Sequence, residues 1–344
     1  MKQPTGLEPT TPVKLKDTSA TERAAFKSCH RSWFLQYGHR LGKAEGHMPF
    51  IFGTAMHEAL AKHYIGGSAL KQWEKSWEAA VKELDEQLGG LARFASEEHN
   101  ALEVMGEQML INYLRHEEEY PVVDEVLAVE ERFEVPIRNG KGRILARMSV
   151  QLDLLGRRHG KLVVVDHKTA ASAPNLNFLD MNDQMTAYIW ATRLHTGEDV
   201  RGAIYNALLK KETHPPALLK NGKLSVNKQA LVTHDGFRDA ITELELDVND
   251  YSEHLLYLLD NPPVLLVREE TYRTKAQLKE FERNLVHEIV DMKRVATRPQ
   301  LAYPSPSALQ CGSCAVQLVC RTMMERGDVG TIIRNNFTIL PPRR

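Results

Sequence analysis

The chain has 344 residues, 42% hydrophobic and 26% charged, enough for one large or two ordinary domains with a substantial core. Its 44 Lys and Arg against 45 Asp and Glu leave a formal charge of −1, so the molecule as a whole does not attract polyanions; a local basic groove is compatible with that total. No apolar run nears the ~20 residues that span a bilayer, and the opening MKQPTGLEPTTPVKLKD lacks the apolar stretch of a secretion signal. These readings exclude a membrane partner and favour a cytoplasmic location.

Residues 1–19 read as a flexible polar lead-in. Ala20 to Leu41 has helical spacing, with Phe26, Trp33, Phe34 and Tyr37 as core contacts. After a Gly- and His-containing loop, Phe50 to Ile65 reads as a helix stopped by Gly66-Gly67. Residues 68–119 carry long helical patterns with a break near Gly89-Gly90. Pro121 marks a change: from Val122 to Thr169 the pattern is that of strands, in VVDEVLAVEERFEVPI, RILARMSVQLDLLG and KLVVVDHKTA. A helix over about Asp183 to His195 and a strand in VRGAIYNALLK follow. Residues 214–230 read as a loop or short hairpin around Pro215-Pro216 and Asn221-Gly222. Helices are expected over most of 234–297, with an interruption near Asn261-Pro262-Pro263. A Pro/Ser stretch then leads to three cysteines, and residues 331–344 form a tail ending in PPRR.

Basic residues cluster at Arg23, Lys27, Arg31, Arg40 and Lys43, and again at Arg143, Arg147, Arg157, Arg158 and Lys161. On their own they are best read as solvated faces. The strands around Gly156-Arg157-Arg158-His159-Gly160 say more. If His159-Gly160 is a two-residue turn, Arg158 pairs with Lys161 and Asp153 falls directly opposite Asp166; a longer loop would set the two acids diagonally. Directly opposed Cβ atoms lie ~5 Å apart, where like charges destabilise unless a cation compensates. Mg²⁺ and Mn²⁺ prefer carboxylate oxygen. Lys168, two residues past Asp166, shares its face of the strand. A lysine there can position an attacking water and offset phosphate charge. As an isolated pattern, D-x-K is more often a chance pair at a sheet edge.

Two further motifs flank the acids. In FGTAMHEAL, Gly53 lies one helical turn before His57 and offers a bare patch where a helix can approach the sheet. In DQMTAYIWA, Gln184 and Tyr188 share a helix face. Each is unremarkable alone. Taken in order, G-x-x-x-H, a strand Asp, D-x-K and Q-x-x-x-Y resemble the RecB-like branch of the PD-(D/E)XK nucleases. That branch includes CRISPR-associated RecB-like exonucleases, nuclease domains of bacterial recombination helicases and many phage enzymes. The resemblance runs from about residue 20 to 210 and resumes at 308–322; residues 68–119 and 214–300 resemble nothing assignable. It implies metal ligation by His57, Asp153, Asp166 and the backbone carbonyl of His167, with Lys168 as the catalytic lysine. Gln184 and Tyr188 would support the site and guide the strand. The family often has Gly three residues before the strand Asp, where this chain has Val150, which bears on the local strand geometry.

The four cysteines are Cys29 and the trio Cys311, Cys314 and Cys320, spaced Cys-x2-Cys-x5-Cys. In a cytoplasmic chain they suggest a metal site before disulfides. The trio needs a fourth ligand, and Cys29 is the remaining thiol. On ligand chemistry alone, zinc suits the set equally well. The layout resembles the iron–sulfur subset of RecB-like nucleases, which implies a [4Fe–4S] cluster stapling the two ends of the fold.

The expected fold class is α/β: a restriction-endonuclease-like core with a small mixed central sheet flanked by helices, helical insertions, and terminal segments joined by the cluster. A single nuclease domain would cover 20–330, with a helical part at 50–120, a catalytic core at 121–212, a helical insertion at 213–300 and the cysteine cluster at 308–322. The expected activity is metal-dependent DNA hydrolysis, as an exonuclease on single strands or DNA ends in recombination, repair or end processing. The rival is a catalytically weak DNA-binding accessory subunit, which the intact Asp153/Asp166/Lys168 set argues against. Gly38 to Ala44 lacks the spacing and final Ser/Thr of a phosphate loop, so unwinding would need a helicase partner, or the chain would serve an integrase or recombination complex.

Overall fold

The computed structural model describes residues 10–43, 48–87 and 96–340. Ser19 opens α1 (Ala20–Ser28), its hydroxyl accepting from the Glu22 amide and satisfying a first-turn donor. The long helix expected to Leu41 is broken at Cys29. The extended backbone there (φ −160°, ψ 115°) ends α1 and starts α2 (His30–Trp33). The Cys29 sulfur caps α2, accepting from the Ser32 amide at 3.5 Å. A π-helical turn, Phe34–Gly38, and the short strand β2 (Leu41–Lys43) complete the segment. Apolar spacing continues through each piece, so periodicity conceals the break.

Three helices, α3 (Met48–Tyr64), α4 (Ala69–Gln87) and α5 (Ser96–Glu119), build one layer around Phe52, Met56, Trp73, Trp77, Leu110 and Tyr113. A Cβ at Gly106 would stand 2.0 Å from the Trp73 ring, so only glycine lets α5 lie against that indole. The expected break at Gly89-Gly90 lies outside the described residues.

The sheet runs β3 (Glu125–Arg138), β4 (Ile144–Arg158), β5 (Lys161–Ala170), β6 (Gly202–Leu209), β7 (Leu266–Tyr272), and β1 (Asp17–Thr18) joins the first half of β4 in parallel. The β5–β6 pair is parallel, with α6 (Asp183–Thr196) as its crossover; β3–β4, β4–β5 and β6–β7 are antiparallel. The sheet is therefore mixed, as expected. One face, with Met148, Val150, Leu152 and Val164, packs on α6 and α9 (Lys275–Thr297). The other, with Leu154, Val163, Val165 and Ile204, packs on Val122 and Val123. With both faces covered, β5 reads as a continuous apolar run.

His159 (φ 50°) and Gly160 (φ 73°) form the two-residue turn, and Arg158 pairs with Lys161. Leu218 bridges Leu224 around Asn221-Gly222. The stretch expected to be helical over 234–297 instead holds α7 (His234–Glu243), α8 (Ser252–Asp260), β7 and α9. The Leu, Arg and Glu of LVREETY suit a helix locally, but the open edge of β6 imposes a strand. The termini also differ from a flexible lead-in and tail. The Val13 amide bonds the Ala296 carbonyl. Beyond α10 (Ala308–Gly312) and α11 (Gln317–Met324), α12 (Val329–Asn336) leads to β8 (Phe337–Ile339), which pairs with β2. Residues 1–9 and 341–344 lie outside the described residues. No described helix is long and apolar enough to cross a membrane.

Candidate metal and active centre

The β4–β5 ladder is regular from Arg158↔Lys161 to Leu154↔Val165, and the next pair in that register is Asp153 and Asp166. There the side chains take over from the ladder. Asp153 Oδ2 accepts from the His167 amide at 2.7 Å, while its Oδ1 faces His57 Nδ1 at 3.2 Å. Asp166 is 2% exposed. Its Oδ1 accepts from Lys168 Nζ at 2.7 Å and from Gln184 Nε2 at 3.4 Å; its Oδ2 is buried without a partner. Gln184 Nε2 also donates to the Tyr188 hydroxyl at 2.8 Å. The structure thus brings His57, Asp153, Asp166, His167, Lys168, Gln184 and Tyr188 to one end of the sheet.

Each supporting element is fixed by its own sequence. Asn182 caps α6 by accepting from the Met185 amide, and buried Arg273 donates to the Leu179 and Asn182 carbonyls and to Thr186 Oγ1. This holds the first turn of α6, where Gln184 sits. Helix α3 meets β5 at Gly53, where a Cβ would find only Thr169 Oγ1 at 3.7 Å, an ordinary contact. A bare patch is therefore not what the approach requires, contrary to the expectation for G-x-x-x-H.

Burial and charge then set the protonation states. Burial pushes the Asp166 carboxyl up, Lys168 draws it down and Asp153 pushes it up again, leaving it at about 6. Burial disfavours the Asp153 carboxylate, but His57 outweighs it and holds the group below the usual range. His57 is correspondingly raised, Asp153 overcoming the cost of burial. Burial alone would lower Lys168, yet the Asp166 carboxylate raises it, so it stays an ammonium at neutral pH. Tyr188, pushed up to about 12 chiefly by burial, stays protonated.

Two features escape the sequence. Glu130, on β3, adopts φ 51° and contributes a ligand atom that lies with those of His57 and Asp153 in a group spanning 4.8 Å. Behind His167 lies a buried polar chain. His167 Nδ1 meets Asn206 Nδ2 at 2.9 Å, Asn206 Oδ1 accepts from Arg268 Nε at 2.9 Å, and Arg268 pairs with Glu117 at 2.6 Å. Because arginine only donates, it fixes the Asn206 amide so that Nδ2 donates to His167. Burial lowers His167 to about 3, so it is neutral. Its backbone is held from both sides.

The family profile described as the PD-(D/E)XK nuclease superfamily matches residues 17–321. The chain belongs to the PD-(D/E)XK nuclease superfamily. No curated protein gives a significant match. Among solved structures, a "Putative exonuclease" from Eubacterium rectale is similar at 12% identity, with 89% of this chain and 87% of that one covered and a TM-score of 0.40. The protein SSO0001 is similar at 12% identity over 66% of this chain and 78% of that one, with a TM-score of 0.31.

In this PD-(D/E)XK chain the four cysteines are free thiols, each half-buried, on α10, α11 and the segments flanking them. Ser32 touches two of them, through its amide to Cys29 Sγ and its hydroxyl to Cys314 Sγ, each at 3.5 Å. The Ser305 amide also donates to Cys29 Sγ, at 3.4 Å. Burial raises the Cys320 thiol, Arg31 lowers it, and Cys29 and Cys314 raise it, so these three feel one another. Much of the basic clusters is neutralised internally. Arg23 and Lys27 pair with Asp183 and Glu288, Arg157 with Glu198 and Arg158 with Glu270.

Proposed function

We propose that the chain is a Mg²⁺- or Mn²⁺-dependent deoxyribonuclease of the RecB-like branch, acting as an exonuclease on single strands or DNA ends in recombination, repair or end processing. One observation carries this reading: Asp153, Asp166 and Lys168 converge at the end of a buried hairpin in a chain of this superfamily. His57, Asp153, Asp166 and the His167 carbonyl would hold the ion. The unpartnered Asp166 Oδ2 and the grouping of His57 with carboxylates suit an oxygen-preferring divalent cation. Such an ion supplies Lewis acidity toward water and phosphate.

Lys168 is too basic to abstract a proton, so its role is donation: one N–H holds Asp166 and the others can orient a water and a phosphate oxygen. Gln184 steadies both Asp166 and Tyr188, so the exposed edge of α6 presents a fixed hydroxyl toward the substrate strand. Cys29, Cys311, Cys314 and Cys320 would hold a [4Fe–4S] cluster. A zinc tetrahedron sets its sulfurs about 3.8 Å apart, whereas no three of these cysteines fall within 4.8 Å of one another; the wider spacing favours the larger group. A helicase or recombination complex would supply unwinding.

The test is cleavage of end-labelled linear and of circular single-stranded DNA. Wild-type protein should degrade linear DNA with Mn²⁺ and spare circles. Asp166→Ala should lose at least about a hundredfold in rate while keeping its far-UV spectrum. Full activity in that variant would overturn the assignment.

A further inference from the structure

We propose that the centre holds two divalent ions side by side, bridged by Asp153, and that Glu130 is a side-chain ligand of one of them; this rests on the nuclease reading above. The group formed by His57, Glu130 and Asp153 does not include Asp166. Asp166 is instead committed through Oδ1 to Lys168 and Gln184, and its buried Oδ2 remains without a partner. The two oxygens of Asp153 face different neighbours, Oδ1 toward His57 on α3 and Oδ2 toward the His167 amide on β5. One carboxylate therefore borders two sets of donors: His57 with Glu130 on one side, Asp166 with the His167 backbone on the other. In two-ion sites the ions lie about 3.5–4 Å apart, a span that one bridging carboxylate covers.

Glu130 gains nothing from its position as a strand residue. Its positive φ is rare for a glutamate. It is half-buried, and its carboxyl is raised by burial, lowered by a hydrogen bond from Gln151 and raised by Asp153. A structural partner for Gln151 could be supplied from an ordinary strand conformation. A cation between Glu130 and Asp153 would turn their repulsion into shared coordination.

The experiment is Mn²⁺ binding by calorimetry and electron paramagnetic resonance, with metal-free melting as a folding control. Wild-type protein should bind about two Mn²⁺ per chain with a spin-coupled spectrum. Glu130→Gln keeps size and hydrogen bonding; Glu130→Gly suits the positive φ. Each should bind one ion, lose the coupling and melt no lower than wild type without metal. Asp166→Asn should also retain one ion, whereas Asp153→Asn should weaken both by tenfold or more. Two coupled ions in Glu130→Gln, or a single ion in wild type, would overturn the proposal while leaving the nuclease reading intact. Unchanged binding in Asp153→Asn would sink both.

Discussion

Asp166 is held between burial and Asp153, which favour its protonated form, and Lys168, which favours the carboxylate; the balance leaves it at about 6 against a model value of 3.8. A folded-state value above the unfolded one means that folding favours the proton. In metal-free protein this contribution is fully present below the unfolded value and is lost as pH rises through about 6. A cation at Asp166 must displace that proton. His57, raised by Asp153 above its ordinary value, must likewise be neutral before its nitrogen can bind metal. Mn²⁺ binding should therefore release protons increasingly as pH falls, approaching two per site near pH ~5.5 and few above pH ~8. Calorimetry in buffers of different ionisation heat reads this directly. Heats independent of buffer throughout that range would place the ion elsewhere.

At the scale of elements, Arg23 joins three helices. It is 1% exposed, on α1, and pairs with Asp183 at the start of α6 and with Glu288 on α9 at 2.8 Å. Arg23→Ala would leave Glu288, 10% exposed, with only Lys27 at 3.3 Å. Breaking a buried pair in this way costs about 3 kcal/mol. The urea midpoint should fall with an unchanged slope, and a loss under about 1 kcal/mol would class the pair with exposed ones. The elements themselves were unequally legible. The β4–β5 hairpin could be read because a turn dipeptide and an apolar run fix its register, and the register aligns Asp153 with Asp166. β7 could not, because its residue types favour a helix and only the edge of β6 makes it a strand. The break at Cys29 was hidden because a sulfur replaces the usual capping oxygen. Glu130 was hidden because its position opposite Asp153 depends on the irregular Asn139–Arg143 loop and on a left-handed residue inside a strand. The Asn206–Arg268 support was hidden because its members are far apart in sequence.

Across the whole molecule, the two ends of the chain meet twice. β2 pairs with β8, over a core of Leu35, Leu41, Val316, Val319, Ile333 and Phe337, and Cys29 lies with Cys314 and Cys320 beside it. A cluster there would reinforce a junction already closed by packing, so its loss should loosen the fold without abolishing it. Protein purified without oxygen should be brown, with broad absorbance near ~400 nm and about four irons per chain. Cys314→Ser should lose the iron and melt several degrees lower, with hydrolysis falling as the scaffold relaxes. Lys168→Ala should behave in the opposite way. It should lose hydrolysis but keep the iron, the melting temperature and most DNA affinity, because one phosphate contact is a small part of an electrostatic interface. A colourless anaerobic sample with stoichiometric zinc would replace the iron reading. An unchanged melting temperature in Cys314→Ser would remove the structural role of the junction thiols, and an equal loss of stability in both variants would make Lys168 an ion-pair strut for Asp166 instead of a catalytic group.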